Sequence, residues 1–311
     1  MKHTLVIGTR GSALALWQAE FVQAALTKRY RSLNVELKII KTKGDKILDQ
    51  SLSKIGDKGL FTREIENALL DGRVDVAVHS LKDLPTETPE GLTITAITRR
   101  EKVNDVLISK KWKSLADLPE GAVIATGSLR RTAQLKHLRP DLEIVDIRGN
   151  LNTRMKKFDK SKWDGMMLAY AGVKRLGWED RIAQVIPTDL ILPAVGQGAL
   201  GIEIRENDKE TARYTASLHH EVTAAAAWAE RALLHELEGG CQVPIGAFAR
   251  MEKDQLLLDA MVSSIDGALR LDTRGSDSRL SHAAALGRRV ARKLLANGAR
   301  EILDEIRAEQ P

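Results

Sequence analysis

Short apolar runs alternate with amphipathic stretches along the first two thirds of the chain. Residues 4–8 are apolar, and helical spacing follows over residues 13–30, with Ser12 as a natural N-cap. The further predicted strands are residues 35–40, 74–78, 106–108, 122–125, 142–147 and 165–169. This alternation predicts an α/β fold with parallel sheets, in which ligands bind at the carboxyl ends of the strands.

The pattern changes after a Pro/Gly-rich crossing segment at residues 187–201. An Ala-rich helix is predicted over residues 222–238, and a closing helix over residues 280–295, ended by Asn297-Gly298. Three strands are predicted between them, at residues 245–250, 255–263 and 268–273. Ser-Ile-Asp-Gly at 264–267 is a hairpin signal between the last two strands. We therefore expect a separate α+β unit at the end of the chain.

Composition restricts the class of protein. The chain has 311 residues, enough for two or three domains, with 43% apolar and 29% charged residues. A single cysteine excludes an intrachain disulfide and favours a reducing compartment. Arg10 interrupts the first apolar run, and no apolar stretch long enough to span a membrane follows. We expect a cytoplasmic protein with no membrane partner.

The net charge of +6 points to an anionic partner. Only 4% of the residues are aromatic, which leaves few platforms on which nucleic-acid bases could stack. Zinc-finger spacing and a dense basic tail are also missing from the sequence. The basic residues instead come in short motifs after apolar runs. This favours a small anionic ligand over nucleic acid.

Charged residues follow several of the predicted strands. Arg10 follows the first strand, at the start of a predicted helix, where an anion would be favoured. Four more arginines follow strands in the second half of the α/β region, namely Arg130, Arg131, Arg148 and Arg154. Any one of these side chains could simply be solvated, but their shared position favours an anion site. Asp83 also follows a strand, although a turn former before Pro85 would explain it as well.

The only cysteine, Cys241, lies in a Gly-Gly-Cys-Gln-Val-Pro turn directly after the Ala-rich helix. A lone cysteine is often just a small buried hydrophobe, whereas one on a turn can project a usable thiol. Both interpretations stay open on the residues alone. The glycine motif at 196–201 leads into a strand and so is not a dinucleotide site. His219-His220-Glu221 face different ways on a helix, so we expect no metal site.

Seven motifs together resemble the porphobilinogen deaminase (hydroxymethylbilane synthase) family. They are RGSALALWQ at 10–18, KGLF at 58–61, HSLKDLP at 79–85, SLRR at 128–131, RGN at 148–150, LPAVGQG at 192–198 and EGGCQVPI at 238–245. The resemblance is collinear over nearly the whole chain. One departure is Ala-Thr-Gly-Ser at 125–128, where the family pattern has Gly-Thr-Ser-Ser.

The resemblance implies two lobes like those of periplasmic binding proteins, plus a smaller α+β C-terminal domain. The first lobe would comprise residues 1–98 and 199–219, and the second residues 104–193. The third domain, residues 221–311, would carry the cysteine. The resemblance also favours a monomer.

The resemblance implies a transferase of haem and porphyrin biosynthesis. The enzyme would deaminate four porphobilinogen molecules and join them head to tail into hydroxymethylbilane, releasing ammonia. It would do so on a dipyrromethane cofactor bound to Cys241 through a thioether. The cofactor and substrate carry acetate and propionate groups, which planar guanidinium groups bind well. Asp83 would stabilise positive charge on pyrrole nitrogen and transfer protons.

The roles implied for individual residues follow from the matching motifs. Asp83 would be catalytic. The cofactor would be bound by Cys241, Lys82, Asp83, Thr126, Ser128, Arg130, Arg131, Arg148 and Arg154. The substrate would be bound by Arg10, Ser12, Gln18, Ser80, Arg148, Arg154 and Arg175. Lys54 and Lys58 would belong to a lid, and no metal is implied.

The main alternative is a non-catalytic two-lobe protein that binds a small anion, since basic lobes with a hinge also describe a solute receptor or the effector domain of a regulator. A nucleic-acid binder is the third possibility. Neither a solute receptor nor the effector domain of a regulator explains the Gly-Gly-Cys turn.

Overall fold

The computed structural model describes residues 4–46, 62–239 and 243–308. Its strands are β1 (Thr4–Thr9), β2 (Asn34–Ile39), β3 (Val76–Ser80), β4 (Leu92–Ile97), β5 (Asp105–Ile108), β6 (Val123–Ala125), β7 (Glu143–Val145), β8 (Gly165–Ala169), β9 (Ile182–Val185), β10 (Leu200–Arg205), β11 (Ile245–Glu252), β12 (Gln255–Ser263) and β13 (Arg270–Asp277). Its α-helices are α1 (Ala13–Arg29), α2 (Lys43–Lys46), α3 (Arg63–Leu70), α4 (Leu129–Leu138), α5 (Leu151–Lys160), α6 (Tyr170–Arg175), α7 (Lys209–Thr215), α8 (Glu221–Glu236), α9 (Ala283–Leu294) and α10 (Arg300–Ala308).

Contacts within the chain divide it into two compact units. In terms of described residues, unit 1 comprises 4–46, 62–101 and 198–224, and unit 2 comprises 102–197, 225–239 and 243–308. The chain therefore leaves unit 1 and later returns to it through β10. This return agrees with the expected two-lobe architecture, whereas the bounds of the three domains stay a prediction. None of the described helices is long and apolar enough to cross a membrane.

Unit 1 is built on a five-stranded sheet in the order β2-β1-β3-β10-β4. β1 is parallel to β2 and β3, whereas β10 is antiparallel to β3 and β4. Leu5 and Ile7 of β1 are fully buried and belong to the same core as Val22 and Leu26 of α1. The helical spacing that predicted α1 thus corresponds to its buried face.

Unit 2 contains a second five-stranded sheet in the order β7-β6-β8-β5-β9. β6 is parallel to β7 and β8, and β5 is antiparallel to β8 and β9. The predicted parallel arrangement is therefore confirmed for β1–β3 and β6–β8. It is wrong for β5 and β10, which pair in antiparallel fashion. Both five-stranded sheets include antiparallel strands. The strands β4 and β9 were not predicted from the sequence. The parallel strands of each sheet still end at one edge.

The C-terminal part of unit 2 forms an antiparallel sheet in the order β11-β12-β13. Its core lies between one face of this sheet and α8, α9 and α10. Leu258 and Leu286, for example, are fully buried in it. The predicted hairpin between β12 and β13 is confirmed. The predicted stop at Asn297-Gly298 is instead a kink, because Gly298 adopts a φ of 101° and the chain continues into α10.

The tip of the β12–β13 hairpin lies against α4 in the same unit. His137 Nδ1 is 2.9 Å from the carbonyl oxygen of Gly267. Gly267 has a φ of +75°, and a Cβ there would lie 2.5 Å from both Ala133 O and His137 N. Only a glycine leaves room for this approach of two backbones.

Candidate functional site

The carboxyl ends of two neighbouring strands bring the predicted site residues of unit 1 to one edge of the sheet. β1 and β3 are parallel and adjacent, with Ile7 opposite Val76. Arg10 follows β1, and Ser80 is the last residue of β3. Gln18 of α1 is 3% exposed, and its Nε2 donates a 2.7 Å hydrogen bond to Ser80 Oγ. The structure therefore brings Gln18 and Ser80 into contact.

Ser12 begins α1 as the sequence predicted. Its side-chain oxygen accepts a 3.3 Å hydrogen bond from the Ala15 N–H, which the first turn of a helix leaves without a backbone partner. Thr9 is fully buried and donates from Oγ1 to the carbonyl oxygen of Ala15 at 3.0 Å. These two bonds hold the chain around Arg10 as it passes from β1 into α1.

Asp83 lies on a short 3₁₀ turn, Leu81–Asp83, that continues from β3. Leu81 and Leu84 are buried on either side, which turns Lys82 and Asp83 outward. Asp83 is exposed, and within the part of the chain that the structure describes its carboxylate takes part in no hydrogen bond or ion pair. The apolar-polar pattern of the motif thus presents a carboxylate that a ligand can use.

A buried charged cluster lies in the interior of unit 1, next to this strand end. His79 of β3 and Glu203 of β10 are 6% and 1% exposed, and His79 Nε2 is 3.0 Å from Glu203 Oε2. Glu66 of α3 is also buried. Burial raises the pKa of Glu66, against the effect of the neighbouring Thr62 hydroxyl, and the charge of Glu203 raises it further.

Replacing Glu66 by glutamine should change how stability depends on pH. A raised pKa means that the folded chain binds this proton more tightly than the unfolded chain. The stabilisation from the protonated group is complete below the unfolded value of 4.5 and is lost as pH rises through the folded pKa. Urea unfolding should therefore show Glu66→Gln to be more stable than the wild type at pH 7.

The advantage of Glu66→Gln should disappear near pH 4, where Glu66 is protonated in both states. Glu20 of α1 is exposed and provides the matched control. Glu20→Gln should leave the pH dependence unchanged. A constant difference between Glu66→Gln and the wild type from pH 4 to pH 8 would contradict the prediction.

In unit 2, three parallel strands end at one edge and lead into predicted site residues. β6 is followed by Thr126 and Ser128, β7 by Arg148, and β8 by α6, which ends at Arg175. Thr126 is 2% exposed and accepts a 3.3 Å hydrogen bond from the Ser128 N–H. The sequence therefore placed these residues correctly at the ends of strands.

Arginines at strand ends were expected to be accessible to a ligand from solvent. Arg130 and Arg131 are instead buried, with 4% and 5% of their surface exposed. Both bind Asp105 at the start of β5. Arg130 Nη1 lies 2.7 Å from Asp105 Oδ2, and Arg131 Nη2 donates to Oδ1 at 2.7 Å. Arg130 also donates to the carbonyl oxygen of Leu192 at 2.5 Å, and Arg131 to that of Met167 at 3.0 Å.

Asp105 is fully buried and receives a third donor from the crossing segment. Gln197 Nε2 donates to Asp105 Oδ1 at 2.9 Å and to the carbonyl oxygen of Val103 at 2.6 Å. Burial opposes the ionisation of Asp105, but the charges and hydrogen bonds of the two arginines outweigh it, so its pKa lies well below the usual value. We call Asp105, Arg130 and Arg131 the Asp105 cluster. It carries two guanidinium groups and one carboxylate.

Burial lowers the pKa of Arg130 despite the attraction of Asp105, and the neighbouring Arg131 lowers it further. Two guanidinium groups and one carboxylate leave the cluster with one excess positive charge. Because this charge is buried, it costs free energy until an anion compensates it. The Nε atoms of Arg130 and Arg131 are both buried and have no hydrogen-bond partner among the described residues.

Arg148 and Arg154 are held close to the chain around them. Arg148 Nε donates to Asp146 Oδ2 at 2.8 Å, and Arg154 Nε to the carbonyl oxygen of Gly149 at 2.8 Å. The departure from the family motif has a reason here. A Cβ at Gly127 would lie 2.8 Å from Ile147 O and 3.0 Å from Asp146 Oδ1, so glycine lets the turn that carries Arg148 approach β6 closely.

Three predicted site residues, Cys241, Lys54 and Lys58, lie outside the described residues. Residues on both sides of the cysteine turn are anchored, because Leu237 and Val243 are buried in the C-terminal core. A Cβ at Gly239 would lie 2.6 Å from the side chains of Ile245 and Leu234. The described parts of the EGGCQVPI motif thus pack tightly.

Sequence reasoning missed Asp105 and gave no role to Gln197. A charged residue at the start of the otherwise apolar strand β5 was the available signal. It also missed the cluster of His79, Glu203 and Glu66. Within residues 4–46, 62–239 and 243–308, no group of three His, Cys, Asp or Glu side chains could hold a metal ion.

Comparison with known proteins gives matches over nearly the whole chain. The model of the "porphobilinogen deaminase, dipyromethane cofactor binding domain" matches residues 5–213, and that of the "porphobilinogen deaminase, C-terminal domain" matches residues 224–296. A porphobilinogen deaminase of Chloroherpeton thalassium is 56% identical over 312 residues, and one of Chlorobium limicola is 54% identical over 310 residues. Each alignment covers 99% of both chains.

Among solved structures, the periplasmic VFT2 domain of Bordetella pertussis BvgS aligns with a TM-score of 0.42 and 13% identity. This alignment covers 69% of the present chain and 86% of that domain. At such a score the likeness supports no conclusion about this protein. The full-length matches in sequence do support one: the chain belongs to the porphobilinogen deaminase family.

Proposed function

We propose that the chain is a hydroxymethylbilane synthase, a transferase of haem and porphyrin biosynthesis. It joins four porphobilinogen molecules head to tail and releases ammonia at each addition. The observation that carries this proposal is the match to the family along the full length of the chain, with both domains in order. Four of the seven motifs, those at 10–18, 79–85, 128–131 and 148–150, lie at strand ends of the two units.

The described residues fit the dipyrromethane cofactor of the family. That group bears several carboxylates, and the Asp105 cluster has one positive charge in excess and two buried Nε–H donors without an acceptor among the described residues. A carboxylate would satisfy both the charge and the donors. When bound, the cofactor supplies the pyrrole carbon to which substrate units are joined.

The residues that would hold the cofactor are, in this proposal, those of the family motifs. Cys241 would provide the covalent thioether. The non-covalent contacts would come from Lys82, Asp83, Thr126, Ser128, Arg130, Arg131, Arg148 and Arg154. Arginines are suited to this task because the planar guanidinium can donate two parallel hydrogen bonds to one carboxylate.

Substrate binding would use a second set of polar residues. They are Arg10, Ser12, Gln18, Ser80, Arg148, Arg154 and Arg175. Ser12 already caps α1 and Gln18 already binds Ser80, so these hydroxyl and amide groups are fixed before a ligand arrives. Such fixed donors lose little conformational entropy on binding. Lys54 and Lys58 would belong to a lid.

Asp83 would carry the acid–base chemistry. Positive charge develops on the pyrrole nitrogen as the bond to the leaving ammonia breaks. Asp83 can stabilise this charge, because its carboxylate is exposed and pairs with no group in the described part of the chain. The same carboxylate can accept or return a proton at that nitrogen. The turn between Leu81 and Leu84 holds Asp83 in place for this role.

The alternative of a non-catalytic anion-binding protein is not favoured, because both family models are those of the deaminase. We also propose that the enzyme works as a cytoplasmic monomer without nucleic-acid or membrane partners. The single cysteine supports a reducing compartment, in which its thiol stays available for the thioether.

Intact-protein mass spectrometry tests the proposed function. The purified wild type should weigh more than its sequence by one dipyrromethane, and Cys241→Ala should show the sequence mass. Limiting porphobilinogen should then raise the mass of the wild type in steps of one substrate molecule less ammonia, whereas Cys241→Ala should gain none.

A thiol reagent added to the denatured protein provides the control. The chain has one cysteine, so the wild type should not react, and a denatured sample stripped of cofactor should react once. A freely reactive thiol in enzyme that turns over porphobilinogen would refute the covalent attachment. Substrate binding without any gain in mass or release of ammonia would favour the anion-binding alternative.

A further inference from the structure

Asp105 is a buried carboxylate that the family motifs do not single out, yet it binds both arginines of the SLRR motif. Its two oxygens lie 2.7 Å from Arg130 Nη1 and from Arg131 Nη2. The two arginines are consecutive on α4 and would otherwise diverge by about 100° around the helix. One carboxylate at the start of β5 thus draws two diverging side chains together.

The remaining contacts fix this arrangement from several sides. Backbone carbonyl groups of Leu192 and Met167 accept from the same guanidinium groups, and Gln197 donates to the carboxylate. These partners come from α4, β5, β8 and the crossing segment. Neither guanidinium can therefore rotate without losing hydrogen bonds in the interior, where such a loss is expensive.

The charge of the cluster is as important as its geometry. With Asp105 ionised, the cluster has one net positive charge, enough to attract one carboxylate. Without the charge of Asp105, two buried guanidinium groups would repel each other and would turn away from each other or toward water. The anion site would then lose its shape even though both arginines are still present.

We propose that Asp105 is a positioning residue that holds Arg130 and Arg131 in the geometry needed to receive a carboxylate of the cofactor. This inference rests on the proposed function. It assigns to Asp105 no contact with the cofactor itself. Gln197 acts with Asp105, by fixing one of its oxygens with a hydrogen bond.

The chain offers a matched control for this idea. On the outer face of the C-terminal sheet, Asp259 also binds two arginines, Arg250 at 2.5 Å and Arg274. This second cluster belongs to β11–β13 and not to the second sheet. Arg250 also pairs with Glu252 there, at 2.7 Å. Asp259→Asn therefore removes the same charge from a similar cluster without touching the proposed site.

The experiment measures how fast cofactor-free protein becomes loaded. Protein made in cells that produce no porphobilinogen is incubated with porphobilinogen, and the gain in mass is followed over time. Asp105→Asn should load at least about tenfold more slowly than the wild type, and Asp259→Asn at the wild-type rate. Thermal unfolding of each variant checks that it is folded.

A double-mutant cycle separates positioning from general damage to the fold. Arg131→Lys should also slow loading, because it loses the planar fork. If Asp105 acts through the arginines, adding Asp105→Asn to Arg131→Lys should slow loading much less than it slows the wild type. Equal factors in both backgrounds, or wild-type loading by folded Asp105→Asn, would overturn the proposal.

A milder variant keeps the proposal testable if Asp105→Asn does not fold. Gln197→Leu removes one hydrogen bond to Asp105 and keeps the ion pairs, so it should slow loading a few-fold, and wild-type loading would overturn the proposal. Failure of the proposed function gives a different result. In that case the wild type itself gains no mass, and the variants cannot differ from it in loading.

Discussion

Asp83→Asn should lower kcat by at least about 100-fold, which is the usual contribution of a general acid–base group. The amide keeps the size of the carboxylate and part of its hydrogen bonding, but it cannot stabilise positive charge on the pyrrole nitrogen or take a proton. KM for porphobilinogen should change by only about threefold or less, because the lost interaction is strongest in the transition state. Steady-state kinetics on cofactor-loaded enzyme measures both constants.

Two further variants make the Asp83 result specific. Asp71, at the end of α3 in the same unit, is an exposed aspartate paired with Arg73, and Asp71→Asn should leave kcat unchanged. Asp83→Glu keeps the charge at a slightly different distance and should recover part of the lost rate. Turnover by Asp83→Asn near that of the wild type would show that another group carries the acid–base chemistry.

Gly267→Ala should destabilise the protein by roughly 2–5 kcal/mol. A positive φ costs an alanine about 1–2 kcal/mol, and forcing a methyl group into a packed contact adds about 1–3 kcal/mol. At Gly267 the contact is with the backbone of α4, at 2.5 Å, which cannot move aside like a flexible side chain. Urea unfolding of the cofactor-loaded protein measures the change in the free energy of unfolding.

Gly177→Ala separates the two contributions. Gly177 is also in unit 2 and has a φ of +68°, but no atom lies within 4 Å of the position of its Cβ. Its replacement should therefore cost only the backbone term of about 1–2 kcal/mol. An equal decrease in the free energy of unfolding for the two variants would contradict the prediction. It would mean that the hairpin can shift away from α4 without loss of stability.

Local sequence patterns predicted the parts of the site that depend on neighbours along the chain. The apolar run before Arg10 and the hydroxyl of Ser12 specify a strand, a turn and a capped helix, and the structure has all three. Asp83 was predicted to follow a strand, and it lies on an exposed turn directly after β3. Such features follow from a few residues, and tertiary contacts do not change them.

Other features depend on residues that are distant in sequence, and no local pattern reveals them. Arg130 and Arg131 were predicted as anion-binding arginines at a strand end, and nothing nearby shows that Asp105 would bind both. The direction of a strand is likewise decided by its partner. The pattern of β10 is the same whether it pairs in parallel or antiparallel fashion with β3. Periodicity therefore predicts elements better than it predicts their arrangement.

The place of β10 between β3 and β4 has a consequence for synthesis on the ribosome. The first sheet lacks an inner strand until residue 205 has left the ribosome, whereas the strands of the second sheet are complete once residue 185 has emerged. Until residue 205 has emerged, β3 has an unpaired edge and β4 has no strand partner, and such edges are surfaces on which nascent chains aggregate. The N-terminal portion of the polypeptide is therefore translated first but completes its sheet after the middle portion has completed its own.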